Sequence, residues 1–81
     1  MSVHEKLVDI IQNSVSILYE NIPIENDTDI INDLGFDSIS IIQLILEIES
    51  EFNIKFDDSL KYEDIATLND LEDYINTKIN Q

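Results

Sequence analysis

Residues 38–52, SISIIQLILEIESEF, carry apolar side chains on more than one face of any helix they form. Ile41, Leu44, Ile45, Ile48 and Phe52 recur at helical spacing and make one stripe. Ile39, Ile42 and Leu46 make a second. A helix apolar all round needs protein on every side. The chain has 81 residues, and a domain of that size buries only roughly 60–65% of its unfolded surface. The first stripe is therefore expected in the core and the second on the surface, where an apolar strip marks a contact face.

The remaining segments supply partners for the core stripe. Residues 3–20 space Val3, Leu7, Ile10, Ile11, Ser14, Ile17 and Leu18 by threes and fours, predicting one helix. Ser2 suits its N-cap, with Glu5 three residues on. Pro23 bars continuation. Residues 21–37, NIPIENDTDIINDLGFD, form a long connection in which Ile22, Ile24, Ile30, Ile31, Leu34 and Phe36 recur. A loop of this kind is packed by its own side chains or is functional. Residues 59–66 predict a short helix holding Leu60 and Ile65. Thr67 caps a last one with Leu68, Leu71, Tyr74, Ile75 and Ile79 as its stripe. The expected architecture is all-α: three longer helices, one short third helix and a long first loop, in a single domain over residues 1–81.

Charge narrows the function. Eighteen acidic residues face four lysines and no arginine, for a net charge of −14. Such a surface repels nucleic acid and anionic membranes and attracts basic patches on partner proteins. With 43% hydrophobic residues the chain is expected to fold rather than stay disordered. It has no cysteine, so disulfides, thiolate metal sites and cysteine nucleophiles are excluded. No secretory signal pattern opens it and no segment reaches the ~20 apolar residues of a membrane span, which points to the cytoplasm. His4 is the only histidine, no Gly-rich phosphate loop is present, and the acidic stretch 27–37 lacks the EF-hand ligand pattern. Neither catalysis nor a metal site is expected, and a small calcium-binding protein is a distant alternative.

The segment Asp33-Leu34-Gly35-Phe36-Asp37-Ser38-Ile39 stands apart. Gly35 is the only glycine, just ahead of the predicted helix start. A serine at a helix N-terminus is exposed and pre-positioned, and the free N–H groups and the dipole there tolerate a new anion. The same serine also suits an ordinary N-cap, which on local physics is the commoner role.

The stretch Leu34-Gly35-Phe36-Asp37-Ser38-Ile39 resembles the Leu-Gly-x-Asp-Ser-Leu attachment motif of acyl carrier proteins. The likeness continues through Ser38–Phe52, with its acidic run Glu47, Glu49 and Glu51 before Phe52. It continues again through Ile65-Ala66-Thr67 and Leu71-Glu72-Asp73-Tyr74-Ile75, and so covers nearly the whole chain. The resemblance implies a small antiparallel four-helix bundle and a monomeric carrier rather than an enzyme. It implies 4'-phosphopantetheine, transferred from coenzyme A to Ser38 by a phosphopantetheinyl transferase, with Gly35 and Asp37 shaping the site. Ile39, Ile42 and Leu46, with Glu47 and Glu49, would dock the transferase and the biosynthetic enzymes that load and use the carrier.

Ser40 and Gln43 stand where fatty-acid carriers usually have acidic residues, and Ile41 where a polar one is common. The run Gln43-Leu44-Ile45-Leu46-Glu47 is similar to D-alanyl carrier proteins, whereas Phe36-Asp37 departs from them. The function expected is a discrete acyl carrier of fatty-acid, polyketide or related biosynthesis. The alternatives are a peptidyl or aminoacyl carrier, and an unmodified helical interaction module.

Overall fold

A computed structural model describes residues 2–80. The first helix, α1, spans Val3–Ser14, and Ser2 Oγ accepts the Glu5 N–H at 3.1 Å as its N-cap. Leu7 and Ile11 are its fully buried residues. The helix expected to run to residue 20 stops six residues early. Ser14 Oγ turns back to the Ile10 carbonyl at 2.8 Å, and Val15 is extended. Ser16 then caps a separate 3-10 turn, Ile17–Tyr19, by accepting the Leu18 N–H. Such serine-to-backbone bonds compete with the helical ladder, and the Ser16 cap starts a new turn in place of its continuation. In consequence Ile17 and Leu18 leave the core stripe and are 78% and 85% exposed.

Helix α2 spans Ser38–Phe52, as expected. Ile41, Leu44 and Ile48 are buried, while Ile45 and Phe52 pack half-buried against the core. Asn53, at φ 55°, ends the helix in the left-handed conformation that asparagine tolerates. The short helix expected over 59–66 contracts to a 3-10 turn, Tyr62–Ile65, which buries Ile65. Helix α3 spans Leu68–Ile79, with Thr67 Oγ1 accepting the Asp70 N–H at 3.1 Å. It buries Leu68, Leu71 and Ile75, whereas Ile79 in its last turn is exposed, against expectation. The fold is therefore all-helical: among the described residues it has three α-helices, with a 3-10 turn where the short third helix was expected, and α1 packs on both other α-helices. Among the described residues there is no strand, only one isolated bridge between Asp29 and Thr67. No described helix is long and apolar enough to cross a membrane.

The long connection completes the core. Ile30, Leu34 and Phe36 are buried with the helix residues in one cluster. Backbone bonds tie the connection to the start of α3: Ile30 N–H to the Ala66 carbonyl at 2.8 Å, Leu68 N–H to Thr28 at 3.1 Å, and Asn69 N–H to Asn26 at 2.9 Å. Thr28, the one buried polar residue among those described, accepts the Glu25 N–H at 2.7 Å, so its burial leaves no unmet oxygen.

The loop after α2 is held by polar contacts. Tyr74 Oη donates to Asp57 Oδ2 at 2.8 Å, and Lys78 Nζ donates to Asp57 Oδ1 at 2.9 Å. The Tyr74 ring stacks tilted on Phe56, centroids 4.9 Å apart. The Lys78 and Tyr74 bonds hold the Asp57 carboxyl below the usual carboxylate range. Hydrogen bonds from Asn32 do the same for Asp29. A carboxyl whose folded pKa is depressed stabilises the fold above its ordinary pKa, and loses that contribution as pH falls through the folded value.

Two outcomes are expected. Ile48→Ala, at a site with no exposure, should cost about 2–5 kcal/mol in chemical denaturation, close to the whole stability of a small domain. Phe52→Ala, only half-buried, should cost less. Thermal unfolding should show a stability maximum near pH ~5. From neutrality downward the loss of charge relieves self-repulsion; further down, the bonds of Asp29 and Asp57 are lost. Added salt at neutral pH should raise the melting temperature by screening, and a flat response would remove dispersed repulsion as a leading effect.

Candidate functional site

The segment before α2 is a hydrogen-bonded turn closed by glycine. Asp33 N–H reaches the Asp29 carbonyl at 2.8 Å and Gly35 N–H reaches that of Ile31 at 3.1 Å. Asp29 Oδ1 accepts the N–H groups of Ile31 and Asn32, and Asp33 Oδ2 accepts that of Asp29. The acids of this stretch thus serve the turn's own backbone. Gly35 has φ 71°, the left-handed conformation that ends such a turn and that side chains resist. The reversal lets Leu34 and Phe36, on either side of it, both point into the core.

Asp37 follows as the N-cap of α2. Its Oδ1 accepts the Ser40 N–H at 2.8 Å and the Ser40 hydroxyl at 2.6 Å, and Asp37 N–H donates to Ser40 Oγ at 3.1 Å. This is a reciprocal capping box. The bonds from Ser40 keep the Asp37 carboxyl below the usual carboxylate range, and hence ionised at neutral pH. The capping duty therefore falls to Asp37, not to Ser38. Ser38 is the first residue of the helix proper and is exposed. Its ordinary role as a cap is taken by its neighbour.

Ser40 is a site residue that sequence reasoning read only as a missing acid. The pattern Asp37-x-x-Ser40 was a legible signal, a capping box with serine in the acid's place. A second missed residue is Tyr19, whose ring lies against Gly35. No local pattern links two residues so far apart in the chain.

The second stripe of α2 lies on the surface: Ile39 is 70%, Leu46 58% and Ile42 49% exposed. It runs from the residue after Ser38 along the side of the helix roughly opposite the buried stripe. The acids near it differ in how they are engaged. Glu47 is exposed, with Oε2 3.4 Å from Ser14 Oγ. Glu51 reaches Lys6 of α1 at 3.8 Å. Glu49 is half-buried and turned inward, and its Oε2 accepts the Phe56 N–H at 2.7 Å. Glu49 thus anchors the loop after α2 as well as adding charge to this face. His4 sits elsewhere, its Nδ1 3.2 Å from Glu72 Oε1 across α1 and α3. Among the described residues no group of three or more histidine or acidic side chains converges as a metal site would.

This donor set fits a phosphodiester on the Ser38 hydroxyl. The hydroxyl is at the surface, at a helix N-terminus whose free N–H groups favour an anion. The first turn of α2 carries no acidic side chain, and the one carboxylate at this end is that of the N-cap Asp37, which already takes the Ser40 N–H.

The comparisons agree with this geometry. Residues 5–75 match the family described as the phosphopantetheine attachment site. The chain is similar to an acyl carrier protein of Clostridium acetobutylicum, 37% identical over 90% of this chain and 91% of that one. It is similar to one of Nitratidesulfovibrio vulgaris, 33% identical over 96% and 99%. A third, from Thermotoga maritima, is 38% identical over 69% of this chain and 68% of its own. The exposed serine at the start of α2, the family match over most of the chain and these relatives converge: the chain belongs to the acyl carrier protein family, a non-catalytic carrier of covalently attached 4'-phosphopantetheine.

Proposed function

We propose that Ser38 is the attachment residue and that the chain is a discrete acyl carrier of fatty-acid, polyketide or related biosynthesis. The observation that carries this reading is an exposed serine at the first position of α2 beside an exposed apolar strip on the same helix. The arm, once attached, supplies a terminal thiol that holds an acyl group as a thioester. The chain's own residues do the presenting. Asp37 and Ser40 fix the helix start so that the Ser38 hydroxyl faces solvent. The α2 N-terminus stabilises the phosphodiester charge next to it. The carrier then moves a tethered group among partner enzymes at high effective concentration.

The partners supported by this surface are a phosphopantetheinyl transferase and loading or biosynthetic enzymes with basic docking patches. Ile39, Ile42 and Leu46 would fill an apolar groove on such a partner. The net charge of −14 would steer the encounter. Glu47, exposed beside Leu46, is better suited to rim steering than the inward-turned Glu49. A second reading, a peptidyl or aminoacyl carrier, draws on Ser40 and Gln43, which stand where fatty-acid carriers usually have acids. Loading of the modified protein by acyl-activating against aminoacyl-activating enzymes separates the two.

Intact-mass analysis after reaction with coenzyme A, magnesium and a broad-specificity transferase should show one phosphopantetheine on the wild-type chain and none on Ser38→Ala. A full adduct on Ser38→Ala would refute the attachment assignment.

Docking is tested on the strip. Ile42→Asp should keep the helical circular-dichroism signal and slow transfer about tenfold, as loss of one interface anchor would. An unfolded Ile42→Asp would return that residue to the core and end the docking proposal. Glu47→Lys should act more weakly and lose its effect at high salt. Glu49→Lys should in addition lower the melting temperature, because the Phe56 N–H loses its acceptor.

A further inference from the structure

The 3-10 turn after α1 sits beside the segment that leads into α2. Ser14, Val15 and Ser16 line one side of a cavity of about 130 Å³, and Leu34, Gly35, Phe36 and Ser40 line the other. Tyr19, the last residue of that turn, lays its ring on Gly35. A Cβ added to Gly35 would come within 2.5 Å of both Cε2 and Cζ of Tyr19 and 3.0 Å of its hydroxyl oxygen. Gly35 is thus restricted twice: by its φ of 71°, and by the hydroxyl end of the Tyr19 ring where a side chain would go.

The tyrosine is itself held. Its N–H donates to the Ser16 carbonyl at 2.9 Å and its carbonyl accepts the Ile22 N–H at 3.1 Å. The ring is half-buried, while its neighbours Ile17 and Leu18 in the same turn face solvent. Of the three residues in this turn, Tyr19 is the one turned toward the attachment segment. Only two residues, Phe36 and Asp37, separate Gly35 from Ser38. Phe36 is buried and Asp37 caps α2, so freedom at Gly35, the residue with the widest backbone range, reaches that serine by loosening these two anchors.

We propose that Tyr19 is a positioning residue for modification of Ser38. Its ring covers Gly35 and confines the Gly35–Asp37 backbone to the one conformation that presents the serine to the transferase. This rests on Ser38 being the attachment residue. Without the ring, glycine samples other backbone states, and only a fraction of the molecules present a competent site. The apparent affinity for the transferase falls by that fraction, while turnover of the bound complex is unchanged. The signature is therefore a rise in KM for the carrier at constant kcat.

The test is steady-state transfer from coenzyme A to the full chain, with Tyr19→Phe, Tyr19→Leu, Tyr19→Ala, Gly35→Ala and the Tyr19→Ala/Gly35→Ala double variant. Tyr19→Phe, which keeps the ring, should match wild type. Tyr19→Ala should raise KM about five- to tenfold with kcat and helical signal retained. Gly35→Ala should be impaired, and the double variant should recover part of that loss, because removing the ring frees the space that the new methyl needs. Tyr19→Leu covers Gly35 without an aromatic ring, and should fall between Phe and Ala if Tyr19→Ala is too unstable to assay. An unchanged KM in Tyr19→Ala overturns the proposal. So does a lowered melting temperature in Tyr19→Ala and Tyr19→Leu with normal kinetics, since that marks the ring as packing only. If the wild-type chain is not modified at Ser38, the attachment reading itself fails. Amide hydrogen exchange at Gly35 and Ser38 then still reports on the ring: faster exchange in Tyr19→Ala supports the restraint, and equal exchange refutes it.

Discussion

Three backbone hydrogen bonds between residues 26–30 and 66–69 turn the long connection into a wall of the core. Three helices of 12, 15 and 12 residues cannot enclose the buried stripe of α2 by themselves. The connection closes the gap with Ile30, Leu34 and Phe36, all buried in the same cluster as Leu7, Ile48 and Ile75. A free loop would lose the entropy of ordering these residues without a compensating ladder. Pairing to the start of α3 satisfies the connection's backbone groups and fixes where those three side chains point. The position of Gly35, and through it the start of α2, follows from that anchoring.

The acidic composition is used unevenly. Most of the 18 acids face water and repel one another. A few hold structure together, since a carboxylate is a strong acceptor for exposed backbone N–H groups. Asp29 ties the turn ahead of Gly35, Asp37 caps α2, Glu49 holds Phe56, and Asp57 joins Tyr74 and Lys78. With four lysines in the chain, backbone and hydroxyl donors take over the role that cations usually play. The fold thereby keeps a strongly negative surface for partners while its loops stay anchored.

The segment around Ser38 combines features that conflict elsewhere in a small domain. Its serine is exposed, yet its neighbours Leu34 and Phe36 are buried and Asp37 is locked in a capping box. Under the proposed attachment at Ser38, a side chain that enzymes reach is mounted on backbone that has little freedom, which is the arrangement positioned chemistry requires. The apolar strip starting at Ile39 shares this mounting, and so lies at a defined distance from the serine along one helix.

Much of this was legible in the chain itself. The two stripes of residues 38–52 separated core from surface, because helical periodicity and the size limit of an 81-residue domain admit only one of them inside. Ser2 and Thr67 were readable as caps, because those signals are local. Other features were decided by tertiary structure. Residues 15–20 kept the helical spacing of α1 yet left the helix, since serine bonds to nearby backbone outweighed a stripe with no core left to meet. Residues 59–66 shrank to one turn around the single anchor Ile65. Glu49 read as a surface acid and became an acceptor for the loop that follows. The seating of Tyr19 on Gly35 joins residues 16 apart in the chain, through a reversal that exists only once Ile30, Leu34 and Phe36 are buried. Periodicity and caps act within a few residues, and so the sequence carries them openly; which side chain meets a distant backbone depends on how the helices and the long connection pack.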